Sequence, residues 1–353
     1  MKIAVTADTH LTDKNEHPER YNSLNNILDK LSSEGINTLI IAGDLFDESY
    51  QNYSEFDEIT ATYDNIDFHI IPGNHDLKIN NKYFTSKNVE IYSSPTIKKL
   101  DESGLIFFFI PYKRDMTMGE VIASHFQKLP RENWVLVGHG DWAGGIRELN
   151  PLEPGVYMPL CQKDITMFQP AQVFLGHIHK PIDEECICYP GSPCGLDITE
   201  TGKRRFLVYD TENRSIKPYF VDTDFIYFSE SIIILPLDDE TKYLRNKIKE
   251  MIERWNIKDK EKINTIIRIK VKGYSSNKRK LEEIVNEEFS EFTFYNNEGV
   301  NTKEVHVSES IEQEEIARKV AEKIKDINWQ PSWNQPSEDE IIFNALKIIY
   351  GEK

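Results

Sequence analysis

Short runs of apolar residues that end in glycine and polar residues constrain the fold of this 353-residue chain more than any other feature. Five such runs are KIAVTA (2–7), NTLIIAGD (37–44), DFHIIPGNHD (67–76), WVLVGH (134–139) and QVFLGH (172–177). A strand that is apolar on both faces must be covered on both sides. The runs therefore predict an α/β fold, a layered β-sandwich flanked by helices.

Each of the five runs ends in, or is followed by, side chains that can bind a metal ion. These side chains are Asp8, His10, Asp44, Asp47, Asn74, His75, His139, His177 and His179. The carboxyl ends of strands in an open α/β sheet form the crevice in which ligands bind, so these residues are expected to converge. For any single cluster, a helix cap or a tight turn is the competing interpretation. Five of the nine histidines lie in the clusters, which favours a common site.

The residue types in these clusters indicate which metals they suit. Carboxylate, imidazole and amide-oxygen ligands without cysteine suit divalent manganese or iron better than a structural zinc. The number of ligands is sufficient for two ions, which in such sites lie ~3.5–4 Å apart.

Charge and cysteine content restrict the class of protein. The net charge is -17, and residues 1–225 carry 34 acidic against 21 basic residues. This balance argues against a passive nucleic-acid binder, although a metal site adds carboxylates whose charge the bound cations offset. Four cysteines without a CxxC pair predict reduced thiols. The start, MKIAVTADTH, shows no signal peptide, and no apolar run reaches the ~18 residues of a membrane span, so a cytoplasmic protein is predicted.

The motifs DxH, GDxxD, GNHD, GH and GHxH, in this order, resemble the calcineurin-like metallophosphoesterase superfamily. Three further stretches, GDLFDES (43–49), FFFIPYKR (107–114) and YPGSPCGLDITETGKRRFLVYD (189–210), are similar to the SbcD branch of double-strand-break repair nucleases. Relatives of the meiotic-recombination-eleven type commonly have His at the position of Asp47, so the bacterial or phage pattern is the closer one. Within the third stretch, PGSP is either a turn whose N–H groups approach a phosphate or a plain tight turn.

The resemblance implies two divalent ions, with Mn²⁺ as the first choice and Mg²⁺ or Fe²⁺ as alternatives. The residues implied for one ion are Asp8, His10, Asp44 and His179, and those for the other are Asp44, Asn74, His139 and His177, so Asp44 would bridge them. His75 and Asp47 are left without a metal. His75 is expected to protonate the departing oxygen or to steady charge on the phosphoryl group, while Asp47 holds its other nitrogen. The competing interpretation makes Asp47 the cap of the following segment.

The sequence pattern changes near residue 226 to that of a smaller α+β module. Apolar residues alternate with Arg268, Lys270 and Lys272 in a predicted strand. The basic face is a candidate for contact with DNA phosphates, or it is an ordinary solvated strand face. The predicted regions are a metallophosphoesterase nuclease domain (1–225), an α+β capping domain (226–308) and C-terminal helices (309–353).

The last predicted helix, from about Ile341 to Tyr350, has few polar positions. The resemblance implies that it docks on an SbcC-like, SMC-type coiled-coil ATPase, and burial within the chain's own fold is the competing interpretation. The resemblance also implies a homodimer formed through helices near the first motifs. The apolar stripe from Tyr21 to Leu31 fits a dimer face and a core equally well.

Together these features predict a two-metal DNA nuclease with exonuclease and hairpin-opening endonuclease activity. The resemblance implies the nuclease component of an SbcCD-like complex for DNA repair and recombination. The first alternative is a small-nucleotide phosphodiesterase or phosphatase of the same superfamily. The second is a non-enzymatic scaffold of this fold that has lost its metals.

Overall fold

The computed structural model describes residues 1–48, 50, 52–100, 104–144, 155–235, 239–307, 311–327, 329, 336 and 338–351. Its contacts divide the chain into two units. The first comprises Met1–Leu196 and Lys203–Asp224, and the second comprises Asp197–Gly202 and Phe225–Lys353. The division into three regions, with separate C-terminal helices, stays a prediction.

The first unit contains two six-stranded sheets. The strands of the first sheet are β1 (Lys2–Thr6), β2 (Thr38–Ala42), β3 (Asp67–Ile71), β4 (Val89–Ile91), β11 (Arg205–Asp210) and β12 (Ser215–Phe220). Those of the second are β5 (Thr96–Lys99), β6 (Ile106–Ile110), β7 (Trp134–His139), β8 (Gln172–Gly176), β9 (Ile182–Glu184) and β10 (Ile187–Tyr189). The strands β1, β2 and β3 are parallel neighbours, as are β6, β7 and β8. Parallel pairing places the carboxyl ends of neighbouring strands at one edge of each sheet.

Helices cover the outer faces of the two sheets. They are α1 (Pro18–Glu34), α2 (Ser54–Thr62), α3 (Met118–His125) and α4 (Gln162–Phe168). Residues such as Val5 and Ile40 of the first sheet share one buried cluster with Phe109 and Val137 of the second. The predicted layered sandwich with flanking helices is therefore confirmed. The α1 stripe that begins at Tyr21 is fully buried in the core of this unit.

The second unit is built on a parallel sheet with β14 at its centre. Its elements are β13 (Ile226–Ile234), α5 (Glu240–Arg254), α6 (Asp259–Lys262), β14 (Thr265–Ser275), α7 (Lys278–Glu288), β15 (Thr293–Phe294), β16 (Asn301–Val307), α8 (Ile311–Lys325) and α9 (Glu338–Ile349). β14 pairs with β13, β15 and β16. Apolar residues of α5 and α7 share one core cluster with alternate residues of β14.

The last helix, α9, buries one face within the second unit. Ile342, Phe343 and Leu346 pack in a cluster with Tyr274 of β14, whereas Ile348 is 78% exposed. The sequence NWQPSWNQPS at 328–337 predicts a break between the last two helices, and this stretch lies outside the described residues apart from 329 and 336. None of the described helices is long and apolar enough to cross a membrane.

Candidate metal centre

The nine predicted site residues all lie in the first unit, at or just beyond the carboxyl ends of five parallel strands. Asp8 and His10 follow β1, Asp44 and Asp47 follow β2, Asn74 and His75 follow β3, His139 ends β7, and His177 and His179 follow β8. The clusters therefore come from the edges of both sheets. Because these strands are largely apolar, ligand side chains concentrate at the positions where the strands leave the sandwich.

Backbone conformation sets the direction of several of these side chains. Asp8, His10, Asp44 and His177 have positive φ angles of 54°, 44°, 49° and 96°. Non-glycine residues adopt such angles rarely, at a cost of about 1–3 kcal/mol each, and they concentrate at functional sites. The turns after β1, β2 and β8 thus direct these side chains toward the cluster.

Glycines beside the site residues allow the strand ends to approach one another. A Cβ atom on Gly43 would lie 2.0 Å from Nδ1 of His139, and one on Gly73 would lie 2.1 Å from Oδ1 of Asp44. Neither position has room for a side chain. The glycines of the GD and GN motifs are therefore required by contacts between loops that are distant in sequence.

One group of candidate ligands comprises Asp8, His10 and His179, whose ligand atoms all lie within 4.8 Å of one another. The Nε2 atoms of His10 and His179 are 3.0 Å apart. Oδ1 of Asp8 accepts a hydrogen bond of 2.8 Å from the amide of His177. Oδ2 of Asp8 is buried and has no hydrogen-bond partner among the residues that the structure describes. A buried carboxylate oxygen of this kind is a natural ligand for a cation.

A second group is formed around His139. Its Nδ1–H donates to the carbonyl of Ala42 at 2.9 Å, so Nε2 is the nitrogen available to a metal in the neutral ring. This Nε2 lies 2.8 Å from Oδ1 of Asn74 and 3.2 Å from Oδ2 of Asp44. Nδ1 of His177 lies 3.2 Å from the same Asn74 oxygen.

Asp44 lies between the two groups. Its Oδ2 is 3.7 Å from Nε2 of His10 and 3.2 Å from Nε2 of His139, while its Oδ1 accepts from the amide of His75 at 2.9 Å. One carboxylate therefore faces both groups, which is the position that a bridging ligand requires.

The charges within the cluster call for a cation. Burial raises the pKa of Asp8. Burial also opposes the charged form of Asp44, but His139 outweighs this effect and lowers the Asp44 pKa. Burial alone would lower the pKa of His139, yet the charges of Asp44 and Asp8 raise it to about 9. The cluster thus needs positive charge beside its carboxylates, and divalent cations would supply it, so the donor set fits the predicted metals.

His75 and Asp47 lie beside this cluster. Nδ1 of His75 is 3.3 Å from Oδ1 of Asp47, which is also 3.6 Å from Nδ1 of His10. Burial opposes the charged form of Asp47, but the neighbouring His10 and His75 and the hydrogen bond from Arg20 lower its pKa. The His75 side chain is 19% exposed, whereas those of His10 and His139 are 3% and 0% exposed. His75 is therefore the more accessible imidazole. It also belongs to a group with His10 and Asp44 whose ligand atoms lie within 4.8 Å of one another.

Several supporting residues were not predicted from the sequence. Oδ2 of Asp76 accepts from the amides of Leu45 at 2.9 Å and Phe46 at 3.3 Å, and Oδ1 accepts from Gly73 at 2.7 Å. Asp76 thereby joins the loops after β2 and β3. Burial and the charge of Asp44 raise its pKa to about 7. The position of Asp76 within the GNHD motif could have identified it as a site residue. Nothing in the sequence pattern distinguished Arg20 and Arg204, which are buried, from arginines at the surface.

The three predicted DNA-binding residues lie in the second unit, on the even-numbered face of β14. Arg268 pairs with Glu298 at 2.8 Å. Lys270 and Lys272 both face Glu304, and the Lys272 pair measures 3.9 Å. These basic groups have acidic partners from the same unit, which reduces the positive potential that the alternating pattern predicted.

Comparison with known proteins identifies the family of this chain. The family model of calcineurin-like phosphoesterases matches residues 1–203. The chain is similar to a Staphylococcus saprophyticus protein named as the SbcD component of the nuclease SbcCD, with 28% identity over 63% of this chain and 68% of the relative. It is also similar to the protein of the same name in Staphylococcus epidermidis, with 27% identity over 61% and 67% of the two chains. A crystal structure of the Pseudomonas putida nuclease MPE aligns with 61% of this chain and 86% of its own, at 13% identity and a TM-score of 0.29.

Proposed function

Because the chain belongs to the calcineurin-like phosphoesterase family, we propose that it is a DNA nuclease that hydrolyses phosphodiester bonds with two bound divalent cations. The observation that carries the proposal is the position of Asp44, whose Oδ2 faces both His10 and His139. DNA is proposed as the substrate because two relatives that match more than half of the chain are named nucleases.

The proposed metal ligands are those expected from the sequence. Asp8, His10 and His179 would hold one ion, Asn74, His139 and His177 would hold the other, and Asp44 would be shared by both. When bound, the two cations neutralise phosphate charge and lower the pKa of a coordinated water. Mn²⁺ is the proposed physiological ion.

His75 is proposed as the proton donor. Its Nδ1 lies 3.3 Å from Oδ1 of Asp47, whose negative charge would stabilise the protonated ring. Nε2 is the nitrogen proposed to face the substrate. Water adds to phosphorus, the bond between phosphorus and the departing oxygen breaks, and Nε2 of His75 supplies a proton to that oxygen.

The second unit is proposed to contact DNA and a partner. Arg268, Lys270 and Lys272 would bind phosphates only by exchanging their carboxylate partners for phosphate oxygens, so their contribution depends on salt concentration. Ile316 and Ile348 of the two last helices are 47% and 78% exposed, which supports a docking surface for an SbcC-like coiled-coil ATPase. A cytoplasmic homodimer acting in DNA repair and recombination completes the proposal.

Activity on defined substrates tests the proposal. The purified chain with Mn²⁺ should degrade linear duplex DNA and open hairpin ends, and it should lose both activities in a chelator. The Asp44→Asn and His75→Ala variants should be inactive, whereas His125→Ala, a partly buried histidine of α3, should retain activity. Fast cleavage of a small nucleotide diester without cleavage of DNA would favour the phosphodiesterase alternative. Full activity of both site variants would refute the assignment of the site.

A further inference from the structure

Arg204 is a buried arginine that contacts both the main chain of a proposed metal ligand, His179, and Ser192 of the PGSP turn. The residue is 2% exposed. Its Nε donates to the carbonyl of Ser192 at 3.0 Å, and its Nη2 donates both to the hydroxyl of Ser192 and to the carbonyl of His179. The amide of Ser192 also donates to the His179 carbonyl, at 3.1 Å. The PGSP amide at Ser192 is therefore used within the fold and is not available to a phosphate.

Arg20 makes the corresponding contact on the other side of the site. It is 8% exposed and begins the buried face of α1. Its Nη1 donates to the carbonyl of His10 and also to Oδ2 of Asp47, the latter at 3.0 Å. Arg20 thus connects the backbone of a proposed ligand to the carboxylate that orients His75.

The two arginines act on the same group of ligands. His10 and His179 are the residues whose Nε2 atoms lie 3.0 Å apart, and each has its carbonyl held by one of the guanidinium groups. A guanidinium is planar, always charged and carries several donors in fixed directions, so it holds a carbonyl more rigidly than a lysine would. His10 also has a φ of 44°, a conformation that surrounding contacts must maintain.

We propose that Arg20 and Arg204 are positioning residues that preorganise the Asp8, His10 and His179 group for a divalent cation. They bind no metal and touch no substrate. They act by fixing the backbone from which the two imidazoles project, so that little rearrangement accompanies binding of the ion. The inference rests on the proposed function, since it assigns both residues to the metal centre of that function.

The effect of Arg204 on Mn²⁺ binding tests the proposal independently of catalysis. The metal-free full chain is titrated with Mn²⁺ and the free ion is measured by electron paramagnetic resonance. Arg204→Met should weaken binding at the affected site about 10- to 100-fold, the range for residues that support a ligand, and Arg204→Lys should recover part of the loss. Arg205→Met is the matched control, because Arg205 follows Arg204 in the chain, begins β11 and pairs with Asp183 at 2.7 Å. It should change the affinity less than about 2-fold.

A double-mutant cycle separates positioning from a general structural role. If Arg204 acts through His179, then Arg204→Met should change Mn²⁺ affinity less than about 2-fold in a His179→Ala background. An equal loss in both backgrounds, or unchanged affinity in a folded Arg204→Met protein, would overturn the proposal. If Arg204→Met does not fold, Mn²⁺ affinity is measured in Arg204→Lys and Arg20→Lys instead. Unchanged Mn²⁺ affinity in both lysine variants would overturn the proposal. Failure of the unmodified chain to bind Mn²⁺ would instead refute the proposed function.

Discussion

Replacement of Gly43 by alanine tests whether the glycine of the GD motif makes room for His139. The added Cβ would lie 2.0 Å from Nδ1 and 2.5 Å from Cγ of the imidazole. Carbon atoms in contact lie about 3.5 Å or more apart, so the ring must withdraw by about 1.5 Å. That movement breaks the 2.9 Å hydrogen bond from Nδ1 to the carbonyl of Ala42 and moves Nε2 away from Asp44.

The expected magnitude follows from two contributions. Gly43 has a φ of 95°, and placing alanine in the left-handed region costs about 1–2 kcal/mol. The broken buried hydrogen bond adds about 1–3 kcal/mol. We therefore expect Gly43→Ala to lose about 2–5 kcal/mol of unfolding free energy. Displacement of a ligand by more than about 1 Å should also lower kcat/KM at least about 100-fold.

Gly35→Ala is the matched control for this substitution. Gly35 ends α1 with a φ of 65°, and a Cβ there would meet nothing within 4 Å. Gly35→Ala therefore has the free-energy cost of placing alanine in a left-handed backbone conformation, but it has no steric clash. Chemical denaturation and steady-state kinetics on DNA should show a loss of stability in both variants but a loss of activity in Gly43→Ala alone. Equal activities of the two variants would refute the steric argument.

Three further predictions concern residues around the site. Asp47→Asn should lower kcat about 100-fold or more without changing the Mn²⁺ content, because it removes the partner of His75 while leaving the ligands in place; loss of metal would contradict this role. Asp76→Asn should lower the unfolding free energy, measured in urea, by about 1–3 kcal/mol, because both oxygens of the carboxylate accept hydrogen bonds and an amide has only one oxygen. An unchanged urea midpoint of unfolding would contradict the role of Asp76 in joining the two loops. Burial, followed by the charge of Lys98, lowers the pKa of His69 to about 4 from 6.5. Between pH 4 and pH 6.5 the unfolded chain therefore binds more protons than the folded chain, so the unfolding free energy should fall by up to about 3 kcal/mol as the pH drops from 6.5 to 4. His69→Phe should flatten this pH dependence. Equal slopes of unfolding free energy against pH in the two proteins would show that His69 is not responsible.

Much of the site could be predicted because its chemistry lies in the sequence pattern itself. The strands are apolar on both faces, so the polar residues at their ends are distinct, and parallel pairing brings those ends together. The apolar stripe from Tyr21 to Leu31 also indicated the first helix, but it did not distinguish a core from a dimer face, and the structure buries it in the core.

Other features depend on contacts that no local pattern contains. The positive φ angles at Asp8 and Asp44 cannot be read from a residue pattern, and the burial of Arg204 depends on residues 12 and 25 positions away in sequence. The alternation along β14 correctly indicated that Lys270 and Lys272 share a face, but it could not reveal Glu304 on the neighbouring strand. Short edge strands such as β4 and β9 were also missed, because three residues are too few to establish a period.

The central proposal is that two metal ions share the carboxylate of Asp44. The decisive measurement is the Mn²⁺ content of the reconstituted chain, combined with its electron paramagnetic resonance spectrum. We expect about two ions per chain with a spin-coupled spectrum, as for ions about 3.5–4 Å apart, and loss of the coupling in Asp44→Ala. A single ion per chain, or two uncoupled ions whose spectrum is the same in Asp44→Ala, would contradict the shared centre.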